Sequence, residues 1–259
     1  MKKAKPFIIV LCLMILFSSC GLSDKSEALG NYAMDSLKAN GVYMGSNETI
    51  KSLNKFLRNS DSITDSMKES RLYEIMCDIV ANDSFSAYTG SSMQISVRGN
   101  KWIFGDVSTD AIFRDTLDTY IIIGSEKKYI SYAKLQTAVL ATGNVLPNDI
   151  LQEENELMTG FLTLYAFAFL YDIVDSGTEI IDGREYYYEE IREKTSTYSQ
   201  WLYYIDGKCI GPVKSSEDIA SALWITSAVI TEPAIPEGYS PVTSEDIEKY
   251  VNELSGQSD

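Results

Sequence analysis

Histidine is absent from all 259 residues, and the sequence has only four cysteines and six prolines. Without histidine, the chain lacks the commonest general base and the commonest metal ligand in proteins. Nucleophilic Ser/His and Cys/His arrangements are therefore excluded. The sequence also lacks a CxxC pair and a glycine-rich phosphate loop following a strand pattern. These absences argue against an enzyme and predict neither a metal nor another cofactor.

Basic residues are also scarce. The sequence has 22 Lys and Arg against 37 Asp and Glu, which gives a net charge of −15. So acidic a surface disfavours nucleic acid and anionic lipid headgroups as partners, and its simplest consequence is solubility. Paired carboxylates can hydrolyse glycosides or bind calcium. Strand alternation, however, places Glu185 and Glu189 on one face and Glu190 on the other. We therefore expect these three to be solvated strand residues.

Residues 1–19 have the features of a secretory signal peptide: a basic start, an apolar core over 7–17, and small residues before Cys20. Phe-Ser-Ser-Cys resembles the lipobox of bacterial lipoproteins, although Phe17 stands where leucine is usual. The resemblance implies that Cys20 is lipidated and becomes the new N-terminus. An uncleaved transmembrane anchor is the weaker alternative, since its apolar run is much shorter than the ~20 residues needed to span a bilayer.

The lipid anchor predicts attachment to the cell membrane, facing the extracytoplasmic side. Two or three acyl chains would hold the protein stably, whereas a single chain binds marginally. Residues 20–28 are the lipidated cysteine and a small, polar tether, and 29–259 form a single domain. Cys77 and Cys209 then remain as the thiols of that domain. A secreted protein permits a disulfide, but buried free cysteines are ordinary, so both alternatives stay open.

Helical periodicity dominates residues 29–82. It predicts helices over 29–39, over 47–57 with Asn47 as N-cap, and over 61–81 with Asp61 as cap. The aromatic-rich segment 156–174 is flanked by acidic residues, which favours a buried core helix over a membrane span. That helix could also cover or line a cavity. A short C-terminal helix is expected within 243–254.

Strand alternation begins at Ser84 and predicts a hairpin turning at residues 98–100, then a second turning at 124–127. Residues 134–142 could continue the sheet. Asp182-Gly183 and Asp206-Gly207 are tight-turn signals that flank two tyrosine-rich strands, 184–191 and 199–205. A polar turn over 215–220 and a strand over 222–230 follow. The fold class predicted is α+β, with an antiparallel sheet.

Three segments carry a family resemblance: SGTEIIDGREYYYEEI, WLYYIDGKCIG and IPEGYSPVT, which begin at Ser176, Trp201 and Ile235. They resemble Firmicutes-type lipoproteins with the LolA-like fold of periplasmic lipoprotein carriers, over roughly residues 60–242. The resemblance implies a strongly curved antiparallel sheet, an incomplete barrel, closed by helices on its concave side. Cys209 stands where leucine is usual, which supports a buried thiol. The front helices exceed the usual pattern of this family.

The resemblance also implies a function, because the concavity of such half-barrels often holds an acyl chain or another hydrophobic ligand. We expect a non-catalytic protein that binds such a ligand or a lipidated partner there. The candidate lining residues repeat on one face of a predicted strand: Trp102, Phe104, Tyr186, Tyr188, Trp201 and Tyr203. Ordinary core packing is an equal alternative for each. The alternative function is an envelope sensor or protein-interaction module whose core is filled by its own side chains.

Overall fold

The computed structural model describes residues 46–59, 61, 63–89, 93–115, 118–141, 165, 168–194, 196–243 and 245–247. The predicted signal peptide, Cys20, the tether and the helix over 29–39 lie outside these residues. So does most of the predicted helix over 156–174, and of the C-terminal helix only residues 245–247 are described, as helical. The described chain is an α+β protein built on one twelve-stranded sheet that is not closed into a barrel.

Four α-helices are described: α1 (Ser46–Asn59), α2 (Asp65–Lys68), α3 (Arg71–Asn82) and α4 (Tyr132–Ala141). The strands are β1 (Ser84–Thr89), β2 (Met93–Arg98), β3 (Lys101–Asp106), β4 (Asp110–Arg114), β5 (Thr119–Ile123), β6 (Lys128–Ser131), β7 (Asp172–Ile181), β8 (Arg184–Arg192), β9 (Ser199–Ile205), β10 (Lys208–Val213), β11 (Trp224–Thr226) and β12 (Ser240–Pro241). Short 3-10 helices lie at Gly124–Glu126 and Ser216–Ser221.

The sheet joins two meanders. Its strand order is β12-β6-β5-β4-β3-β2-β1-β11-β10-β9-β8-β7. All neighbours are antiparallel except β12 and β6, which run parallel. The short strand β11 connects the halves by pairing with β1 on one side and β10 on the other. The sheet therefore ends at β7, a ten-residue edge strand that pairs, within the described residues, with β8 alone.

The tight turns predicted from Asp-Gly steps are confirmed. Asp182 and Asp206 have φ values of 51° and 50°, and the following Gly183 and Gly207 have 75° and 71°. Positive φ at both central positions matches the right-handed twist of the flanking strands, so each step joins two strands directly. The hairpins at residues 98–100 and 124–127 are also confirmed, as β2–β3 and β5–β6.

Helices α1, α2 and α3 cover one face of the sheet, which we call the helix face. Cross-strand partners place one continuous row of side chains on it: Phe104, Ile95, Ala87, Ile225, Cys209, Tyr204 and Tyr187. These residues pack with Ile50 and Phe56 of α1 and with Met76 of α3 in the largest core. Burying one such large apolar side chain contributes about 1.5–3 kcal/mol.

The opposite face, which we call the outer face, carries two smaller clusters. The first gathers Ile103, Phe113 and Ile122, covered by Ile235 and Tyr239 of the C-terminal segment. The second gathers Tyr186, Tyr203, Ile210 and Val213, with Ile219 and Ala222 packed against it. A polar row separates the two clusters, and within it the Ser86 and Ser96 hydroxyls are hydrogen-bonded at 3.0 Å.

The single helix predicted over 61–81 is wrong, because the chain breaks it into α2 and α3. Two N-caps explain the break. The Thr64 hydroxyl accepts a hydrogen bond from Met67 N at 3.2 Å, and the Ser70 hydroxyl accepts one from Tyr73 N at 2.9 Å. A serine in extended conformation at 70 starts a new helix and lets it change direction. Asp61 is therefore not the cap.

Three further boundaries differ from the sequence prediction. Residues 134–142 do not continue the sheet, because Leu135 and Val139 of α4, four residues apart, pack together with Ile130. The predicted helix over 156–174 ends earlier, since β7 begins at Asp172. The strand predicted over 222–230 is reduced to Trp224–Thr226. Within the described residues, no helix is long and apolar enough to cross a membrane.

Candidate binding site on the outer face

The six predicted lining residues do not share one face of the sheet, which corrects the prediction that they line one concavity. Trp102 and Phe104 are buried in the helix-face core. Tyr186, Tyr188, Trp201 and Tyr203 lie together in the second outer-face cluster. Alternation along β3, β8 and β9 was predicted correctly. The predicted face of β3, however, is turned toward the helices, whereas the predicted faces of β8 and β9 are turned away from them. The four outer residues form the candidate site.

Aromatic contacts hold the three tyrosines of this set in place. The rings of Tyr186 and Tyr203 meet edge to face at 6.2 Å between centroids, and those of Tyr188 and Tyr203 are 6.3 Å apart. Such pairs contribute about 0.5–1.5 kcal/mol beyond their buried area. Tyr186 and Tyr203 are buried, whereas Tyr188 and Trp201 are half-buried. The cluster therefore has a fixed floor and two partly accessible walls.

An open groove of about 320 Å³ lies beside these walls, lined by Thr178, Glu179, Tyr188 and Trp201. Two phenols fix the carboxylates next to it. The Tyr203 hydroxyl donates to Glu179 Oε2 at 2.9 Å, and the Tyr188 hydroxyl donates to Asp175 Oδ2 at 3.0 Å. Both carboxylates come from β7, so the groove lies at the edge of the sheet.

The phenols beside the groove stay protonated at neutral pH. Burial, together with the hydrogen bond to Glu179, raises the pKa of Tyr203 to about 12. The hydrogen bond to Asp175, with a smaller contribution from burial, raises the pKa of Tyr188. A proton lost from either ring would leave two negative oxygens in contact. The tyrosines therefore act as fixed donors, and neither is poised to be a base.

Negative charge at the groove is not neutralised by a basic side chain of the described chain. Neither Asp175 nor Glu179 forms an ion pair there, in contrast to Glu190, whose carboxylate pairs with Arg192 at 2.7 Å. Glu190 also accepts a hydrogen bond from Ser199, which lowers its pKa, and the guanidinium of Arg192 lowers it further. Two oriented carboxylates next to aromatic walls make a site suited to a cation.

Aromatic faces elsewhere in the protein already hold cations. The Lys208 ammonium lies 4.3 Å from the centroid of Trp224, whose ring belongs to the outer-face cluster. On the helix face, the Arg71 guanidinium lies 3.8 Å from the centroid of Tyr187. Cation–π contacts of this kind contribute about 0.5–1 kcal/mol when exposed. Within the described residues, no cluster of carboxylates and cysteines has the geometry of a metal site.

Glu189 on β8 differs from the sequence prediction. The sequence predicted a solvated strand residue, but Glu189 is buried. It is 2% exposed and lies on the helix face. Its carboxylate accepts hydrogen bonds from Arg71 N, at 2.9 Å, and from the Tyr204 hydroxyl. Burial raises the pKa of this carboxyl, although both hydrogen bonds oppose the rise. The sequence contained one signal for this burial, because strand alternation places Glu189 on the same face of β8 as Tyr187.

The two thiols of the described domain are free, so the bridge alternative is excluded. Cys209 is fully buried between Tyr204 and Tyr165, and the Tyr165 hydroxyl donates to its carbonyl at 3.2 Å. Burial raises the pKa of the Cys209 thiol well above its ordinary value. Because the thiolate is the reactive form, this cysteine is a packing residue without nucleophilic character.

Trp102 carries an unusual feature for a core residue. It is 1% exposed, and its indole Nε1 is a buried donor that has no hydrogen-bond partner in the part of the chain that the structure describes. An unpaired buried donor costs about 1–3 kcal/mol. Tryptophans in cores usually reach a partner through this group.

Comparisons with known proteins do not assign a function to this groove. No protein-family model matches the chain, and no curated protein matches its sequence. The outer-face groove therefore has to be interpreted from its own residues.

Proposed function

We propose that this protein is a membrane-anchored, extracytoplasmic and non-catalytic interaction module that binds a protein partner at its outer face. The observation that carries the proposal is the groove of Thr178, Glu179, Tyr188 and Trp201 at the edge strand β7. Aromatic residues are enriched where proteins bind one another, because they bury large areas at small entropic cost. Here they stand half-buried beside oriented carboxylates.

The packing of the helix face favours this function over a carrier with an empty concavity. Trp102, Phe85, Phe169 and Met67 are among the largest fully buried side chains, and all four belong to the helix-face core. Within the described residues, these side chains occupy space between helices and sheet that an acyl chain would need. The available recognition surface is then the outer face.

The LolA-like half-barrel is part of the same proposal. The antiparallel meanders and the helices on one face support it, and so do the hairpins at Asp182-Gly183 and Asp206-Gly207. Such a fold, held at the membrane by lipid on Cys20, would present the outer face to other proteins of the cell envelope.

Lipidation is tested by replacing Cys20 with serine in the full chain. Serine offers no thiol for the thioether, so we expect the protein to leave the membrane fraction. Fractionation followed by immunoblotting measures this. Cys77→Ser is the control, because Cys77 is a free thiol of the folded domain, and this variant should remain in the membrane fraction. Equal membrane association of Cys20→Ser and the wild type would contradict the lipid anchor.

The interaction surface is tested by a photo-crosslinking residue placed at Thr178 of the full chain in cells. Thr178 is exposed on β7 and lines the groove, and Leu140 of α4, which is 54% exposed, is the matched control. We expect a discrete crosslinked product from position 178 and none of that size from position 140. The product should weaken when Trp201 is replaced by alanine. Identical products from both positions, or none, would overturn the proposal.

A second candidate is favoured by the unpaired Trp102 indole. A hydrophobic ligand with a polar head, such as a fatty acid, could accept a hydrogen bond from this N–H while its chain lay among apolar residues. Phe104 would be the neighbouring lining residue from the same strand face. Binding would require the helices to move from the sheet, since the core is filled without the ligand.

A further inference from the structure

We propose that the partner segment is an extended, basic stretch of another protein, which adds as a thirteenth strand to β7 and seats a lysine or arginine in the groove. This inference rests on the proposed function and specifies its partner. β-strand addition supplies main-chain hydrogen bonds for affinity, and pockets beside the edge supply specificity through alternate side chains. The groove and the edge occupy the same place in this fold.

Among the described residues only β8 pairs with β7, and β7 is exposed over most of its length. Val174 and Ile180 are 45% and 74% exposed, and burial along β7 is low from Val174 onward. Contacts with α2 lie at the start of the strand, where the Thr64 hydroxyl reaches the Tyr171 carbonyl at 3.5 Å. Edge strands of this length are templates for pairing unless they are covered, and charged side chains on them oppose pairing with strands of like charge.

The negative charge of β7 determines which kind of strand can pair with it. Asp172, Asp175 and Glu179 all belong to β7, and Asp172 is approached by Lys194 at 3.9 Å. A second copy of this chain pairing at the same edge would set carboxylates against carboxylates, which destabilises directly opposed strands. A basic strand sets opposite charges together. Since the whole chain carries −15, a basic partner is also steered toward it over a distance.

The groove is placed where a side chain of the added strand would reach. A new strand lies about 4.8 Å from β7, and every second side chain projects to the outer face. On that face it would stand next to Glu179, with Tyr188 and Trp201 as the aromatic walls beyond. The Lys208–Trp224 contact, on the same face, shows that an ammonium is accommodated over such a ring.

The test uses the full chain in dodecylmaltoside micelles, with ¹⁵N-labelled tryptophan. The protein has three tryptophans and therefore gives three indole N–H signals. They come from Trp102 in the core, Trp201 at the groove and Trp224, whose ring contacts Lys208. The probe is a synthetic nine-residue peptide of alternating threonine and lysine, and its matched control carries glutamate for lysine. We expect the lysine peptide to shift the Trp201 signal and leave Trp102 unmoved.

Two variants locate the charge that matters. Glu179→Gln should weaken peptide binding about 3- to 5-fold, the effect of losing one exposed ion pair. Glu185→Gln removes the same charge from the neighbouring strand β8 on the other face, so its affinity should stay within about 1.5-fold of the wild type. Equal weakening by both variants, or binding of the glutamate peptide, would show diffuse attraction to an acidic protein and overturn the site.

Strand addition is tested by N-methylating the lysine peptide at every second residue, in the two possible registers. One register removes the N–H groups that face β7 and should abolish binding, while the other leaves them free and should retain it. Two equally active methylated peptides would overturn strand addition. If a crosslink forms at position 178 in cells but no lysine peptide shifts Trp201, this inference fails and the interaction module survives. If neither occurs, both fail.

Discussion

Replacing Glu189 with alanine should lower the free energy of unfolding by about 2–4 kcal/mol. The change removes the acceptor of two buried donors, Arg71 N at the start of α3 and the Tyr204 hydroxyl. Each donor left unsatisfied costs about 1–3 kcal/mol, partly offset by relief of burying a charge. Denaturant unfolding of the full chain in micelles, followed by circular dichroism, measures the loss.

Glu185→Ala is the matched control for this substitution. Glu185 lies on the same strand but is exposed, and we expect its removal to change the stability by no more than about 0.5 kcal/mol. If both alanine variants had equal effects, the Glu189 carboxylate would not hold α3 against the sheet. Helix α3 would then depend on apolar packing alone.

The Glu189 contribution should also depend on pH, in a direction set by its raised pKa. The carboxyl binds its proton more tightly in the folded protein than in the unfolded chain, where the pKa is near 4.5. The associated stability is therefore fully present below pH 4.5 and is lost as pH rises through the folded pKa. Glu189→Gln does not titrate. The stability difference between wild type and this variant should shift in favour of the wild type as pH falls from 7 toward 4.5.

Trp102→Ala should cost about 3–5 kcal/mol, the usual range for removing a large aromatic side chain from a core. Trp102→Phe should cost about 1 kcal/mol or less. Phenylalanine loses some packing, but it also removes the indole N–H that is buried without a partner. These two effects are of similar size and opposite sign. Thermal unfolding by circular dichroism compares the two variants, and equal losses would mean that the indole N–H is satisfied in solution.

The wild type and the Trp102→Phe variant together test the hydrophobic-ligand candidate. If a fatty acid binds beside Trp102, dodecanoate should raise the Tm of the wild type, because a ligand that binds the folded state stabilises it. Trp102→Phe should lose that rise, since it cannot donate to the carboxylate. A Tm unaffected by dodecanoate, or raised equally in both proteins, would count against this candidate.

Local chemistry determined much of the described fold. The Asp-Gly steps at 182 and 206 require positive φ at successive residues, which short-range sterics fix without reference to the rest of the chain. Alternation along β1 to β3 likewise identified the strands that carry Phe85, Ile95 and Trp102, because one face of each is continuously apolar. The prediction of helix over 47–57 held for the same reason, through the apolar stripe of α1, but Asn47 is not its N-cap, because the helix begins at Ser46.

The positions where one element ends and the next begins depend on competing capping and packing interactions. Hydrophobic periodicity alone does not show which of these interactions prevails. The apolar stripe over 61–81 is compatible with one helix, yet Thr64 and Ser70 cap two shorter ones, which lets each pack against the sheet separately. Residues 134–142 include the β-branched Thr137, Val139 and Thr142, which suit a strand. They form α4 because Leu135 and Val139 find Ile130 on the helix face.

The sequence by itself determined that β8 and β9 have two different faces, one carrying Tyr186, Tyr188 and Tyr203 and the other carrying Tyr187. Both faces are aromatic, so alternation could not decide which one the helices cover. That choice belongs to the tertiary structure, because β11 inserts between β1 and β10 and aligns Tyr187, Tyr204 and Cys209 with the row on β1 to β3. Pairing between strands distant in sequence therefore placed Glu189 inside and the tyrosine groove outside.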